Sequence, residues 1–190
     1  MCAHSTGQIF NASKLGESLG ISHTTVKRYL TLLEQTLLVR TLTPYFKNLK
    51  KRMVKSPKIY IRDTGILHTL LKIETFDELM SHPVYGSSWE SFCIEQILST
   101  FQKAESYFYR TSNGVELDII IEKAQFRVGI EFKVSSRVKP TRGFWNSLED
   151  LNIEEAWIIC PKPGKYEIQE NIWVSGIIEF LDTWADRLAL

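Results

Sequence analysis

Apolar residues recur at helical spacing early in the chain. Residues 11–33, NASKLGESLGISHTTVKRYLTLL, read as helix, turn, helix, with Ser13 capping the first helix, Gly20 at the turn and Ser22 capping the second. Val26, Tyr29, Leu30 and Leu33 form the apolar stripe of that second helix, and Thr24, Lys27, Arg28 and Thr31 its opposite face. The period then changes to two in LLVRTLT and again in KIYIR, which predicts a pair of strands. A helix follows with Ile66, Leu67, Leu70 and Leu71 on one side, and Asp63 is its N-cap. Pro83 and Gly86 mark residues 72–86 as a linker, after which SSWESFCIEQILSTF is strongly amphipathic. Residues 107–134, YFYRTSNGVELDIIIEKAQFRVGIEFKV, predict three short strands separated by Ser112, Asn113 and Gly114 and by a polar loop at 123–125. A helix over about 141–151, a buried strand over 156–160, strands around 166–168 and NIWVSG, and a terminal helix complete the pattern.

Strict alternation places Glu116, Asp118, Ile120 and Glu122 on one face of the second strand in the 107–134 stretch, and Leu117, Ile119 and Ile121 on the other. On the third strand Glu131 and Lys133 share a face, while Ile130, Phe132 and Val134 point into the core. Charged residues inside such apolar strands cost free energy unless they are paired or used. As bare spacing, Asp118 followed by Glu131-x-Lys133 reads equally as an ion-pair cluster on a solvated face.

Charge divides the chain. Residues 1–62 hold eleven Lys and Arg against Glu17 and Glu34, and residues 63–190 hold twelve against twenty acids, although the net charge is only +1. The cations concentrate in PYFKNLKKRMVKSP, where Lys47, Lys50, Lys51, Arg52 and Lys55 sit between the two predicted strands with no acid among them. A helix-turn-helix followed by a basic hairpin loop is the pattern of a winged helix that binds nucleic acid. Thr24, Lys27 and Arg28 are then the residues for phosphates and base edges, and Lys50, Lys51 and Arg52 those of the wing. The same features would serve a basic hairpin that docks an acidic protein partner.

Three widely spaced cysteines, Cys2, Cys93 and Cys160, form no CxxC or Cys/His cluster and point away from structural zinc, toward a reducing, cytoplasmic setting. No apolar run approaches the length of a membrane span, so no membrane partner is expected. Asp63-Thr64-Gly65 matches the triplet of aspartic proteases, but no second triplet follows.

The spacing Asp118, Glu131-x-Lys133 resembles the PD-(D/E)xK nuclease-like superfamily. The resemblance implies a restriction-endonuclease-like α/β domain in which Asp118 and Glu131 hold Mg²⁺ or Mn²⁺ and Lys133 assists the attacking water. Glu90 matches the extra acid that many members carry on the helix ahead of the first strand; it equally completes a capping box with Ser87. Arg137, Lys139 and Arg142, just past the motif, would grip phosphates or pair with acids on a loop.

In the order LGISHTTVKRYLTLLEQTLLV, KIYIRDTG, GSSWESF, YRTSNGVELDIIIE and GIEFKVS, the chain from about residue 11 to 180 resembles the C-terminal region of bacterial and archaeal AAA-type ATPases. That region joins a winged helix to a PD-(D/E)xK-like module. The resemblance implies α/β architecture with a winged helix-turn-helix over 1–71, a linker over 72–86 and a nuclease-like domain over 87–190. It also implies an ATPase partner, as a domain or as a separate chain. No GxxxxGK[ST] occurs in these residues, so the chain itself is not expected to bind or hydrolyse ATP. Two functions are expected from this reading: a metal-dependent DNA phosphodiesterase, or a non-catalytic DNA-binding or docking module of a split or truncated ATPase.

Overall fold

A computed structural model of the chain describes residues 1–46, 53–124, 126–135 and 138–188. Lys47, Lys50, Lys51 and Arg52 of the basic loop, and Arg137, lie outside the described residues. The protein is mixed α/β. It forms two compact units, Met1–Thr43 with Ser56–Phe92, and Pro44–Lys55 with Cys93–Leu190.

In the first unit a 3-10 turn, Cys2–Ser5, leads into β1 (Gln8–Ile9), α1 (Ala12–Leu19), α2 (His23–Gln35), β2 (Val39–Pro44) and β3 (Lys58–Ile61). β3 is central, pairing antiparallel with both β1 and β2. Asn11, rather than the expected Ser13, caps α1, because its side chain reaches the amide of Lys14 at 3.0 Å and so starts the helix two residues earlier. Gly20 adopts φ 66° at the turn, and Ser22 caps α2 through the amide of Thr25. α1 and the turn approach closely at Gly16, where a Cβ would stand 2.6 Å from the carbonyl oxygen of Ile21.

The core of this unit gathers Phe10, Val26, Leu30, Val39, Ile59, Ile61 and Leu67. Tyr29, Ile66 and Leu70, expected on the buried stripes of their helices, are instead exposed. α3 (Thr64–Leu70) starts at Asp63, whose carboxylate accepts from the amide of Ile66 at 2.8 Å, which gives the Asp-Thr-Gly triplet its structural role.

The stretch expected as a linker holds a helix, α4 (Phe76–Ser81). Thr75 and Glu78 form a reciprocal capping box that satisfies amides at both positions and sustains this short helix. α5 (Tyr85–Thr100) then begins before Pro83-to-Gly86 punctuation would allow, with Gly86 inside its first turn. The first compact unit runs on to Phe92 and omits residues 44–55.

The second unit contains β4 (Glu105–Arg110), β5 (Glu116–Lys123), β6 (Phe126–Phe132), α6 (Arg142–Leu151), β7 (Glu155–Ile159), β8 (Lys165–Gln169), β9 (Ile172–Ser175) and α7 (Ile177–Leu188). Its strand order is β4-β5-β6-β7-β9-β8. β4, β5 and β6 form an antiparallel meander; β6 to β7 and β7 to β9 are parallel, and β8 returns antiparallel to β9. Thr141 caps α6, which makes the long connection that a parallel pair requires. Against one face of the sheet Phe144, Leu148 and Leu151 of α6 pack on Leu117, Ile120, Ala156 and Ile158. On β7 the alternate residue Trp157 packs edge-on to Phe180 of α7, with ring centroids 5.3 Å apart. Among the described residues no helix is long and apolar enough to cross a membrane.

Candidate active site

β5 and β6 pair from Lys123 opposite Phe126 up to Ile119 opposite Ile130. The pairing ends there, and Asp118 and Glu131, the next residue of each strand, lie near enough for the charge of one to act on the other. There the strand chemistry changes, because the carboxylate of Asp118 accepts a hydrogen bond from the backbone amide of Phe132 at 2.9 Å. On its other side β5 is bulged against β4: Tyr107 faces Ile120 and Tyr109 faces Leu117, so Asp118 and Ile119 together stand against Phe108. An extra residue in one strand bends it and re-aims the side chains at that point.

The bulge also corrects the expected alternation on β5. Leu117 and Ile120, three apart, join one core, where strict alternation put them on opposite faces. The period of two holds only on either side of Asp118.

Lys133 continues past the end of β6 with its amide bonded to the carbonyl of Ile159 on the β7 side, at 3.0 Å. Its ammonium donates to a carboxylate oxygen of Glu131 at 2.7 Å. Glu131 is buried, whereas about a third of the Lys133 side chain remains exposed, at 32%. Two opposed influences act on Glu131. Burial first, then the charge of Asp118, raise its pKa, the Lys133 contact lowers it, and Glu116 raises it slightly; the balance stands at about 8. The ion pair argues for a charged carboxylate and the burial for a proton; we favour the raised pKa, since a single partly exposed ammonium does not replace the lost water. Glu116 itself pairs with Arg110 at 3.2 Å.

Asp118, Glu131 and Lys133 are thus brought together. Glu90 lies in the first compact unit, in the interior of α5, and accepts from Lys58 at 3.1 Å and from the hydroxyl of Tyr60 at 2.6 Å. The expected capping box with Ser87 does not form, because α5 begins at Tyr85 and Ser87 is already helical. Lys58 is only 2% exposed. Sequence reasoning missed Lys58 and Tyr60; the available signal was a charge within the KIYI run, the same signal that drew attention to Asp118.

Among the described residues no group of three or more His, Cys, Asp and Glu is arranged to hold a metal ion. The pair Asp118 and Glu131 offers hard oxygen donors, and Mg²⁺ characteristically keeps several waters and takes only one or two carboxylates. A cation there would offset the repulsion that pushes Glu131 toward its protonated form. The donor set therefore fits a water-rich Mg²⁺ or Mn²⁺ site.

Thr24, Lys27 and Arg28 stand exposed on α2, as does Thr31. The first compact unit holds seven Lys and Arg and seven Asp and Glu, because the acids of residues 63–92 offset its cations, and five of the eleven cations of residues 1–62 lie in the segment that connects β2 to β3.

Two family models match the chain, each described as a domain of unknown function: DUF8612 over residues 1–77 and DUF4143 over residues 85–180. The uncharacterized protein Rv2008c of Mycobacterium tuberculosis is 38% identical over 172 residues, which cover 90% of this chain and 39% of that protein. The uncharacterized protein Mb2031c of Mycobacterium bovis matches with the same identity and coverage. The chain thus spans about two fifths of the length of these curated relatives, at 39%. No solved structure matches the chain.

Proposed function

Because the chain belongs to the DUF4143 family of domains of unknown function, whose description names no chemistry, we propose its function from its own site: a Mg²⁺- or Mn²⁺-dependent phosphodiesterase acting on DNA. The observation that carries this reading is the meeting of Asp118 and Glu131 on neighbouring strands, with Lys133 bonded to Glu131 and a bulge at Asp118. Asp118 and Glu131 would hold the ion, which when bound makes its water more acidic and offsets charge developing on phosphorus. The Phe132 amide fixes the orientation of Asp118. Lys133 keeps its charge close to Glu131 and would assist the attacking water from that side. Glu90, in the first compact unit, has a structural role through its bonds to Lys58 and Tyr60.

A winged helix-turn-helix would hold the duplex, with Thr24, Lys27 and Arg28 of α2 in a groove and Lys50, Lys51 and Arg52 on phosphates. The resemblance to the C-terminal region of AAA-type ATPases adds an ATPase partner, in the same polypeptide or as a separate chain. A second reading, a non-catalytic DNA-binding or docking module, is favoured by one specific observation: no third metal-binding side chain joins the pair among the described residues.

Nicking of linear, flapped and four-way-junction DNA with Mg²⁺ or Mn²⁺ separates the two. Metal-dependent cleavage that disappears in Asp118→Ala supports the enzyme. A parent inactive on every substrate, or trace cleavage that survives Asp118→Ala, leaves the binding module. Lys133→Ala should slow cleavage and leave metal affinity nearly unchanged, as expected when help is lost only in the transition state.

A further inference from the structure

The side chains that α2 turns away from its core are not equivalent. Val26 and Leu30 are buried, which sets Thr24, Arg28, Thr31, Leu32 and Gln35 outward and leaves Lys27 on a flank. Three hydroxyls of the helix are already engaged: Thr25 bonds Ser22 at 2.9 Å, Thr31 donates to the carbonyl of Lys27 at 3.1 Å, and Thr24 lies 3.5 Å from the His23 ring. Glu34, the one acid of α2, is bonded to Thr41 of β2. The outward face thus carries positive charge and no acid, which suits a polyanion.

Arg28 and Gln35 end in planar forks. In the major groove an arginine fork matches guanine O6 and N7, and a glutamine amide matches adenine N6 and N7. The two are seven residues apart, so they point within about 20° of each other and stand about 10.5 Å apart along the helix axis. At a rise of about 3.4 Å per base pair, that distance spans about two to three base pairs, depending on the tilt of the helix in the groove. Leu32 lies between them, 53% exposed and outside the core, where it suits a thymine methyl. A hollow of about 490 Å³ is lined by these three with Thr25, Tyr29 and Thr31, so the face is open along its length.

We propose that α2 reads sequence, with Arg28 and Gln35 as specificity-determining residues for a guanine and an adenine about two to three base pairs apart. Lys27, on the flank, contacts phosphate and favours no sequence. This rests on the DNA binding proposed above and not on cleavage.

Selection from randomised duplex DNA by the full chain, with a chelator present to stop metal-dependent cleavage, tests it. The parent should enrich a guanine and an adenine at that spacing. Arg28→Ala should lose the guanine preference and Gln35→Ala the adenine preference, each by about tenfold in relative affinity. Arg28→Lys keeps the charge but not the fork, so it should retain most of the overall affinity and still lose the guanine. Lys27→Ala should weaken all sequences alike and leave the enrichment unchanged. Duplex binding with no sequence enriched, or the same enrichment in parent and all variants, overturns the assignment and leaves DNA binding standing. A parent that binds no duplex at low salt overturns both, and α2 then faces a protein. Enrichment by a parent that cleaves no DNA with Mg²⁺ or Mn²⁺ would support the assignment and remove the phosphodiesterase alone.

Discussion

Glu131 carries the most consequential single ionisation. Its pKa, about 8, lies above the ordinary glutamate value of 4.5, so between those limits the folded chain holds a proton that the unfolded chain has released. Its stabilising contribution is complete below pH 4.5, declines as pH rises through this window, and is lost above about 8. The decline is limited to about 1.4 kcal/mol per pH unit for one proton. Urea midpoints from pH 5 to 8 should therefore fall for the parent and flatten in Glu131→Gln. Lys58 and Glu90 provide a second test. Removing Glu90 takes a carboxylate away from a lysine that is 2% exposed and an acceptor from the Tyr60 hydroxyl, so Glu90→Ala should lose about 3 to 5 kcal/mol in denaturant unfolding. Replacing both partners, Lys58→Met with Glu90→Leu, should cost far less. At this scale the sequence revealed that Asp118, Glu131 and Lys133 were anomalous, because each interrupts an apolar strand. It did not reveal which acid Lys58 would meet, because that pairing joins residues 32 apart and has no local signature.

Elements were legible wherever one rule governed them. Ser22 and Gly20 bracket the turn as their chemistry requires, and Thr141 starts α6. The errors arose where two signals competed. Pro83 and Gly86 suggested a linker, but the Thr75 and Glu78 box made a helix before them. On β5 the apolar run from Ile119 to Ile121 hides its phase, since every residue is buried and a bulge leaves no mark in such a run. Gly16 offers a test at this scale. Alanine there would gain about 1 kcal/mol of helix propensity. Its methyl would also meet the Ile21 carbonyl oxygen at 2.6 Å, a backbone atom that cannot turn aside. The clash should win, and Gly16→Ala should lower stability by about 1 to 3 kcal/mol, read from the denaturation midpoint.

For the whole molecule, mixed α/β architecture and the order of strands and helices could be read from periodicity. The first unit is closed by residues on both sides of the 44–55 segment, and a boundary drawn along the sequence cannot express that. The charge asymmetry changes meaning with it, because five of the eleven cations of residues 1–62 lie in a connecting segment and the acids of residues 63–92 offset the rest of the first unit. DNA affinity, if carried by that segment, should show a slope of log K against log salt of about −0.9 for each phosphate neutralised. Lys50→Ala with Lys51→Ala and Arg52→Ala should flatten the slope and weaken all sequences alike; an unchanged slope would assign the DNA contact elsewhere. The central claim is that Asp118 and Glu131 act together on a divalent cation. Calorimetric titration of Mn²⁺ into the parent and into Asp118→Ala at pH 7 and pH 8.5 tests it most directly. The account predicts one site in the parent, tighter at the higher pH because Glu131 no longer has a proton to lose, and no binding in Asp118→Ala. Equal heats from parent and variant, or no heat from either, would contradict it.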